Sequence, residues 1–221
     1  MKKKPISKPT YISFNGHGID VALNRADDLD RLSLEHFSQK NAPRVLDLGC
    51  GAGGHSMRMS KTGTNVLAVD VHDFSEVFLQ LQEQVGVQGQ PKFIYGDIRN
   101  LPELIDGRTF TDTYMQRTLH YLRYTEALSL LEYLFNITDD KLFISTMGIA
   151  SEAGKGYSGN NLNIKDRFTA LSVDNREKFS IKEPVCLYKK DEFVELLNNS
   201  GWRVEKCWQS AFGNIKAVCA H

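Results

Sequence analysis

Arg44-Val45-Leu46-Asp47-Leu48-Gly49-Cys50-Gly51-Ala52-Gly53-Gly54 is the stretch whose reading decides the fold. Its first half, Arg44 to Leu48, is a short apolar run ended by glycine, the pattern of a strand buried on both faces. Its second half packs four glycines into six residues, more than the one or two a tight strand-to-helix turn needs. Glycines at such a turn let the backbone approach a ligand closely, and the helix that opens behind them presents unpaired N–H groups.

Outward from that stretch, comparable apolar runs recur at Val66 to Val71, Lys92 to Tyr95, Phe110 to Met115 and Lys141 to Thr146. Segments with helical spacing lie before and between them. Asp28 to Phe37 carries Leu29, Leu32, His36 and Phe37 behind a cap at Asp27 or Asp28, and His55 to Lys61 follows the glycines. Ser75 to Val85 aligns Val77, Phe78, Leu81 and Val85, and Thr125 to Phe135 aligns Ala127, Leu130, Leu131 and Leu134. Strand and helix alternate five times, which predicts a parallel α/β sheet with right-handed crossovers and helices on both faces.

The end of the chain departs from this pattern. Lys190 to Ser200 reads as a helix closed by Gly201, followed by strands at Trp202 to Ala211 and Ile215 to Ala220 joined through Phe212-Gly213-Asn214. So short a turn permits only an antiparallel pair, so the last strand runs against the rest.

Composition narrows the function. The 221 residues are 41% hydrophobic and 24% charged, enough for one large α/β domain. Lys and Arg total 27 against 27 for Asp and Glu, a balance that argues against nucleic acid as a partner. No run of 18 apolar residues is present, so no transmembrane helix is expected, and Met1-Lys2-Lys3-Lys4-Pro5 is not followed by the apolar core of a secretion signal. Cys50, Cys186, Cys207 and Cys219 show no CxxC pair or zinc-ligand spacing, so neither a metal nor a disulfide framework is expected, and a reducing cytoplasm is the expected setting.

Gly49, Gly51 and Gly54 also satisfy GxGxxG, and Asp70 at the end of the second strand could take ribose hydroxyls in a dinucleotide site, so an NAD(P)-dependent oxidoreductase remains a reading of the motif. Two features shift the balance: the C-terminal hairpin, and Asp47 two positions before the first glycine. Pyrophosphate is poorly placed beside Asp47, whereas a cationic amino group gains from it.

From about Arg44 to His221 the chain resembles the class I S-adenosylmethionine-dependent methyltransferases, which implies a Rossmann-like seven-stranded sheet, mostly parallel with an antiparallel last strand. The resemblance implies that Asp47, Gly49, Cys50, Gly51 and Gly53 wrap the methionine part of S-adenosyl-L-methionine and that Asp70 binds both ribose hydroxyls. Gly96-Asp97-Ile98 implies a carboxylate on the adenine amino group, with Val71 and Ile98 as the apolar residues around the ring and Gln116 also at the cofactor. Asp47 and Asp70 also suit simple strand-end turns, and Asp97 also suits the cap of a turn from Ile98 to Leu101.

The fourth strand runs into Tyr114-Met115-Gln116-Arg117-Thr118-Leu119-His120-Tyr121, the edge that in this family faces the transferred methyl; Leu-His-Tyr resembles a segment of its small-molecule members, and the [ND]PP[YF] pattern of nucleobase and glutamine methylation is absent. His120 is the candidate general base, an even match for a packed histidine; Tyr121 is a candidate substrate contact, and Arg117 suits an anionic substrate or the cofactor carboxylate, or at least equally an exposed, solvated arginine.

Residues 148–189 exceed what a crossover needs. Their Gly- and Ser-rich start, Gly148 to Gly159, suits a mobile lid with Tyr157 at the substrate, and Phe168, Leu171, Phe179 and Tyr188 supply apolar surface for a cap. Tyr11, a candidate substrate contact, and Phe14 could cover the cofactor in the same way. The expected organisation is therefore a tail and cover segment over 1–27 and one domain over 28–221, moving a methyl group to a small molecule. Methylation of RNA or protein, and a cofactor-binding module without activity, are the remaining alternatives; the acceptor and the oligomeric state are not legible.

Overall fold

The computed structural model describes residues 12–13, 16–20, 22, 26–84 and 90–221. Two short strands, β1 (Ile12–Ser13) and β2 (Ile19–Asp20), pair with each other ahead of α1 (Asp28–Ser38). The glycine stretch then joins β3 (Arg44–Leu48) to α2 (Gly54–Ser60), as its composition requires. Next come β4 (Asn65–Asp70), α3 (Ser75–Gln84), β5 (Lys92–Tyr95), α4 (Leu101–Ile105), β6 (Phe110–Gln116), α5 (Tyr124–Ile137) and β7 (Thr138–Met147). The long connection holds β8 (Phe168–Thr169), α6 (Val173–Phe179) and β9 (Val185–Cys186), and the chain ends in α7 (Lys190–Asn199), β10 (Arg203–Gln209) and β11 (Asn214–Ala220).

Seven strands form one sheet in the order β10-β11-β7-β6-β3-β4-β5. The five from β3 to β7 are parallel, and β11 slots between β7 and β10, antiparallel to both. Alternation along each strand sends side chains to two cores. Val45, Val66, Ala68 and Phe143 pack on Leu29 and Phe37 of α1, Met59 of α2 and Phe78 of α3. Leu46, Leu48, Leu67, Val69, Met115 and Ile144 pack on α4, α5 and α7 through Leu101, Leu131, Leu134 and Phe193. Trp202 is buried in this second core and its indole N–H donates to the Leu131 carbonyl at 3.1 Å.

Among the boundaries that differ from the sequence expectation, two have a plain cause. The strand expected from Lys141 begins at Thr138, directly after α5, because the Thr138 and Thr113 hydroxyls bond at 2.7 Å and Phe110 pairs with Thr138 ahead of a register shift. The strand expected to reach Ala211 stops at Gln209, since Ser210 already belongs to the turn: its carbonyl accepts from Gly213 N at 2.9 Å and its N–H donates to Asn214 O at 2.8 Å. Val85, expected to close the third helix, lies outside the described residues. No helix among the described residues is long and apolar enough to cross a membrane.

Candidate functional site

The parallel strands all end at one edge, and beyond it lies a cavity of about 1170 Å³ where the β3 and β6 connections diverge. Asp47, Gly49, Cys50 and Gly51 line it from β3; Asp70 and Val71 from β4; Asp97 and Ile98 from β5; Gln116, Arg117, His120 and Tyr121 from β6. Residues far apart in the sequence therefore share one wall because parallel strands align their C-terminal ends.

Gly49 and Cys50 donate to Val69 O at 2.8 and 3.3 Å, and Gly51 N donates to Asp70 Oδ2 at 2.9 Å. Gly49 is irreplaceable on contact grounds: at φ +68, a Cβ there would lie 1.9 Å from Thr118 Oγ1. The other oxygen of Asp70 accepts from His72 N at 2.9 Å. Burial pushes the Asp70 carboxyl up, and these two backbone N–H groups oppose it. Asp47 accepts from Ser56 Oγ at 2.5 Å; full burial, followed by the negative charges of Asp30 and Asp70, raises it to about 7 despite that bond. Asp97 caps the short 3-10 turn Ile98–Asn100 by accepting from Arg99 N and also pairs with Arg99 Nη1 at 2.7 Å. The Gln116 amide donates to Asp27 Oδ2 at 2.7 Å, an oxygen shared with Lys216 at 2.6 Å.

His120 is 2% exposed, its Nδ1 has no partner among the described residues, and burial followed by the Arg117 charge pulls it down to about 3. Its imidazole is neutral at pH 7, and so lowered it is a weak proton acceptor, which favours the packed reading of the two the sequence left open. His55, equally buried, is pulled to about 3 in the same way. For such groups the unfolded chain binds more protons between about pH 6.5 and 3, so their contribution to stability is lost on acidification. Buried Asp30, Asp47 and Asp70, all raised, work in the opposite direction. His120→Gln isolates the imidazole: between pH 6.5 and 5, urea unfolding should show the variant losing about 1–2 kcal/mol less than the wild-type protein. Parallel pH dependences would contradict a buried neutral His120.

Two expected site residues are not brought to the cavity. Gly53 caps α2 and faces the Phe78 ring, which a Cβ would meet at 2.7 Å. Tyr157 is 2% exposed and its hydroxyl donates to the carbonyls of Val185, at 2.6 Å, and Arg167; it braces the insertion from within and does not reach the substrate space. Tyr11, with Phe14, lies outside the described residues.

The Gly148–Gly159 segment is packed instead of open. Ala153 and Tyr157 join Met147, Leu171, Ile181, Val185 and Leu187 in a third apolar cluster. Its glycines answer close approach: a Cβ on Gly154 would sit 1.8 Å from Ile149 O. The two ends of the insertion are stitched together by Tyr188 N to Met147 O at 3.1 Å and Ile149 N to Tyr188 O at 2.8 Å. Glycine content alone does not distinguish a loose loop from a tightly packed one.

Several lining residues escaped the sequence reading. Met147, Ile181 and Phe212 join the expected Phe168 and Phe179 as apolar wall, and His17 comes in from the N-terminal segment. His17 is held by Tyr121, whose hydroxyl donates to its carbonyl at 2.6 Å, and by its ring contact with His72 at 3.0 Å; its neighbour Gly18 donates to Ser180 O at 3.0 Å. Gly16-His17-Gly18 was the available signal, with both glycines at positive φ. At the opposite end of the sheet, His36, Asp112 and Asp140 converge, with the Lys40 ammonium 2.7 Å from each carboxylate. That ammonium supplies the positive charge the carboxylates need.

Comparison with known proteins agrees with this geometry. Residues 45–140 match the family model of a methyltransferase domain. Among solved structures, the magnesium protoporphyrin IX methyltransferase of Synechocystis, with bound S-adenosylhomocysteine, is similar at 17% identity and a TM-score of 0.63, over 87% of this chain and 81% of that one. The 1,6-didemethyltoxoflavin-N1-methyltransferase of Burkholderia thailandensis is similar at 16% identity and a TM-score of 0.65, over 90% and 78%. An S-adenosylmethionine-dependent methyltransferase of Clostridium acetobutylicum is similar at 12% identity and 0.62, over 86% and 89%. The methyltransferase domain match over residues 45–140 thus sits inside a hairpin-terminated seven-stranded sheet whose fold is that of these S-adenosylmethionine-dependent methyltransferases.

Proposed function

We propose that this protein transfers a methyl group from S-adenosyl-L-methionine to a small-molecule acceptor. The observation that carries the reading is the row of Asp47, Asp70 and Asp97 at the ends of three adjacent strands, with Val71 and Ile98 beside them on the same cavity. Three carboxylates repel a pyrophosphate and suit an ammonium, a ribose diol and an amino-substituted ring. Val71 is 42% exposed, an apolar side chain left open for a flat ring to cover.

The bound cofactor supplies the electrophilic methyl, so the chain's task is placement and exclusion of water. Asp47 receives the ammonium, whose charge favours its ionised form. Asp70 offers its remaining lone pairs to the two hydroxyls while Gly51 and His72 keep it oriented. His120, neutral, forms part of the wall on the acceptor side instead of carrying a proton away. The packed insertion over 148–189 and His17 close the acceptor side. Four free thiols suit a reducing cytoplasm as its setting.

Calorimetric titration with S-adenosylhomocysteine and NAD tests the reading. Micromolar binding of S-adenosylhomocysteine and none of NAD is expected, with affinity rising as pH passes through about 7 and Asp47 ionises. NAD binding without S-adenosylhomocysteine binding would falsify it.

A further inference from the structure

Arg117 comes directly after β6 with its backbone in the left-handed region, φ +53, a conformation that costs a residue bearing a β-carbon about 1–2 kcal/mol. Its N–H is held there by the carbonyl and the hydroxyl of Ser145, both at 3.0 Å. Glycine would occupy this position without strain, so the side chain is the part that needs explaining. That side chain is half-buried and lines the cavity. The other arginine on the wall, Arg99, is committed to Asp97 and Glu126, whereas the Arg117 guanidinium has no carboxylate or hydrogen-bond acceptor among the described residues.

The Arg117 charge is felt at His120, where it adds to burial in keeping the ring neutral. A lone guanidinium on a cavity wall that includes Met147, Phe168 and Phe179 fits one singly charged, planar anionic group on an apolar body. The Glu183 carboxylate on the same cavity disfavours a doubly charged phosphate, Glu152 there being paired with Lys178 at 2.6 Å.

We propose that Arg117 determines acceptor specificity and that the acceptor is an organic carboxylate with an apolar body, its carboxylate paired with the guanidinium. A planar fork matches a carboxylate bidentately, and enclosure within the cavity strengthens the pair. The proposal rests on the methyltransferase reading for the identity of the neighbouring ligand.

The test is calorimetric titration of protein saturated with S-adenosylhomocysteine, using acid and amide pairs: benzoate with benzamide, cinnamate with cinnamamide, hexanoate with hexanamide. In at least one pair the acid should bind about tenfold or more tightly than the amide. That preference should vanish in Arg117→Gln and Arg117→Gly, while S-adenosylhomocysteine affinity stays within about threefold of wild type. Arg117→Gly should also keep or raise the thermal midpoint, because it relieves the left-handed backbone; a merely structural arginine would lower it. Equal binding of acid and amide in all three pairs, no binding of either, or a preference that survives both substitutions overturns the proposal. Loss of about tenfold or more in S-adenosylhomocysteine affinity overturns it too, by placing Arg117 on the cofactor. If the wild-type protein fails to bind S-adenosylhomocysteine, the methyltransferase reading falls, and the same acid and amide pairs titrated into the protein alone decide the role of Arg117 separately.

Discussion

Arg167→Ala is expected to destabilise the protein by about 3–5 kcal/mol and to cripple methyl transfer while sparing cofactor binding. Arg167 is 2% exposed, yet its guanidinium bonds Glu192 at 2.5 and 2.9 Å, Leu187 O at 3.1 Å and Leu162 O at 2.9 Å, and its own carbonyl receives the Tyr157 hydroxyl. One side chain thus ties the start of the insertion, its end and α7 together. Burial opposes the charge on Glu192, but the Arg167 and Lys189 N–H groups and the Arg167 charge hold its carboxyl below the usual range. Removing the guanidinium leaves a carboxylate and two carbonyls without their donor, which costs more than the pair itself contributes.

Arg167→Lys keeps the charge but loses the fork, and should fall between wild type and alanine. Replacing both Arg167 and Glu192 by methionine should recover much of the loss, since no buried charge is then stranded. Urea unfolding measures the stability, and titration with S-adenosylhomocysteine should show affinity within about threefold, because the residues from Asp47 to Asp97 do not touch this brace. An Arg167→Ala protein within about 1 kcal/mol of wild type would show that the insertion does not depend on it.

For Asp70→Ala the expected result is a loss of about 1.5–3 kcal/mol in S-adenosylhomocysteine binding, roughly 10- to 150-fold in affinity. Its carboxylate is proposed to accept both ribose hydroxyls, and it already accepts from Gly51 N and His72 N. The substitution therefore removes a ligand contact and loosens the glycine loop at once. Asp70→Asn retains an acceptor oxygen at one of those two N–H groups, so it should weaken binding less. A folded Asp70→Ala protein with unchanged affinity would leave Asp70 as a turn residue only.

Much of this site is legible in the chain because its residues sit at strand ends. Asp47, Asp70 and Asp97 each stand near the close of an apolar run, and the glycines between Leu48 and Gly54 mark the turn that faces a ligand. The antiparallel β11 is legible for a local reason as well, since a connection as short as Ser210 to Gly213 cannot return a strand in parallel. The insertion resists such reading. Its strands are two residues long and its turns are 3-10, so no period of 2 or 3.6 develops.

The sequence by itself determined the order of strands and helices, the two apolar faces of the sheet and the carboxylates at its edge, because periodicity and turn chemistry act over a few neighbouring residues. Only the tertiary structure decided that Tyr157 is a brace, that Gly148–Gly159 is packed, that His120 is neutral and that Arg117 stands unpaired beside it. Those properties depend on burial and on partners far along the chain: Val185 for Tyr157, 28 residues away, and Tyr121 for His17, 104 residues away. Desolvation and long-range contact are set by how the elements pack, and no local pattern carries them.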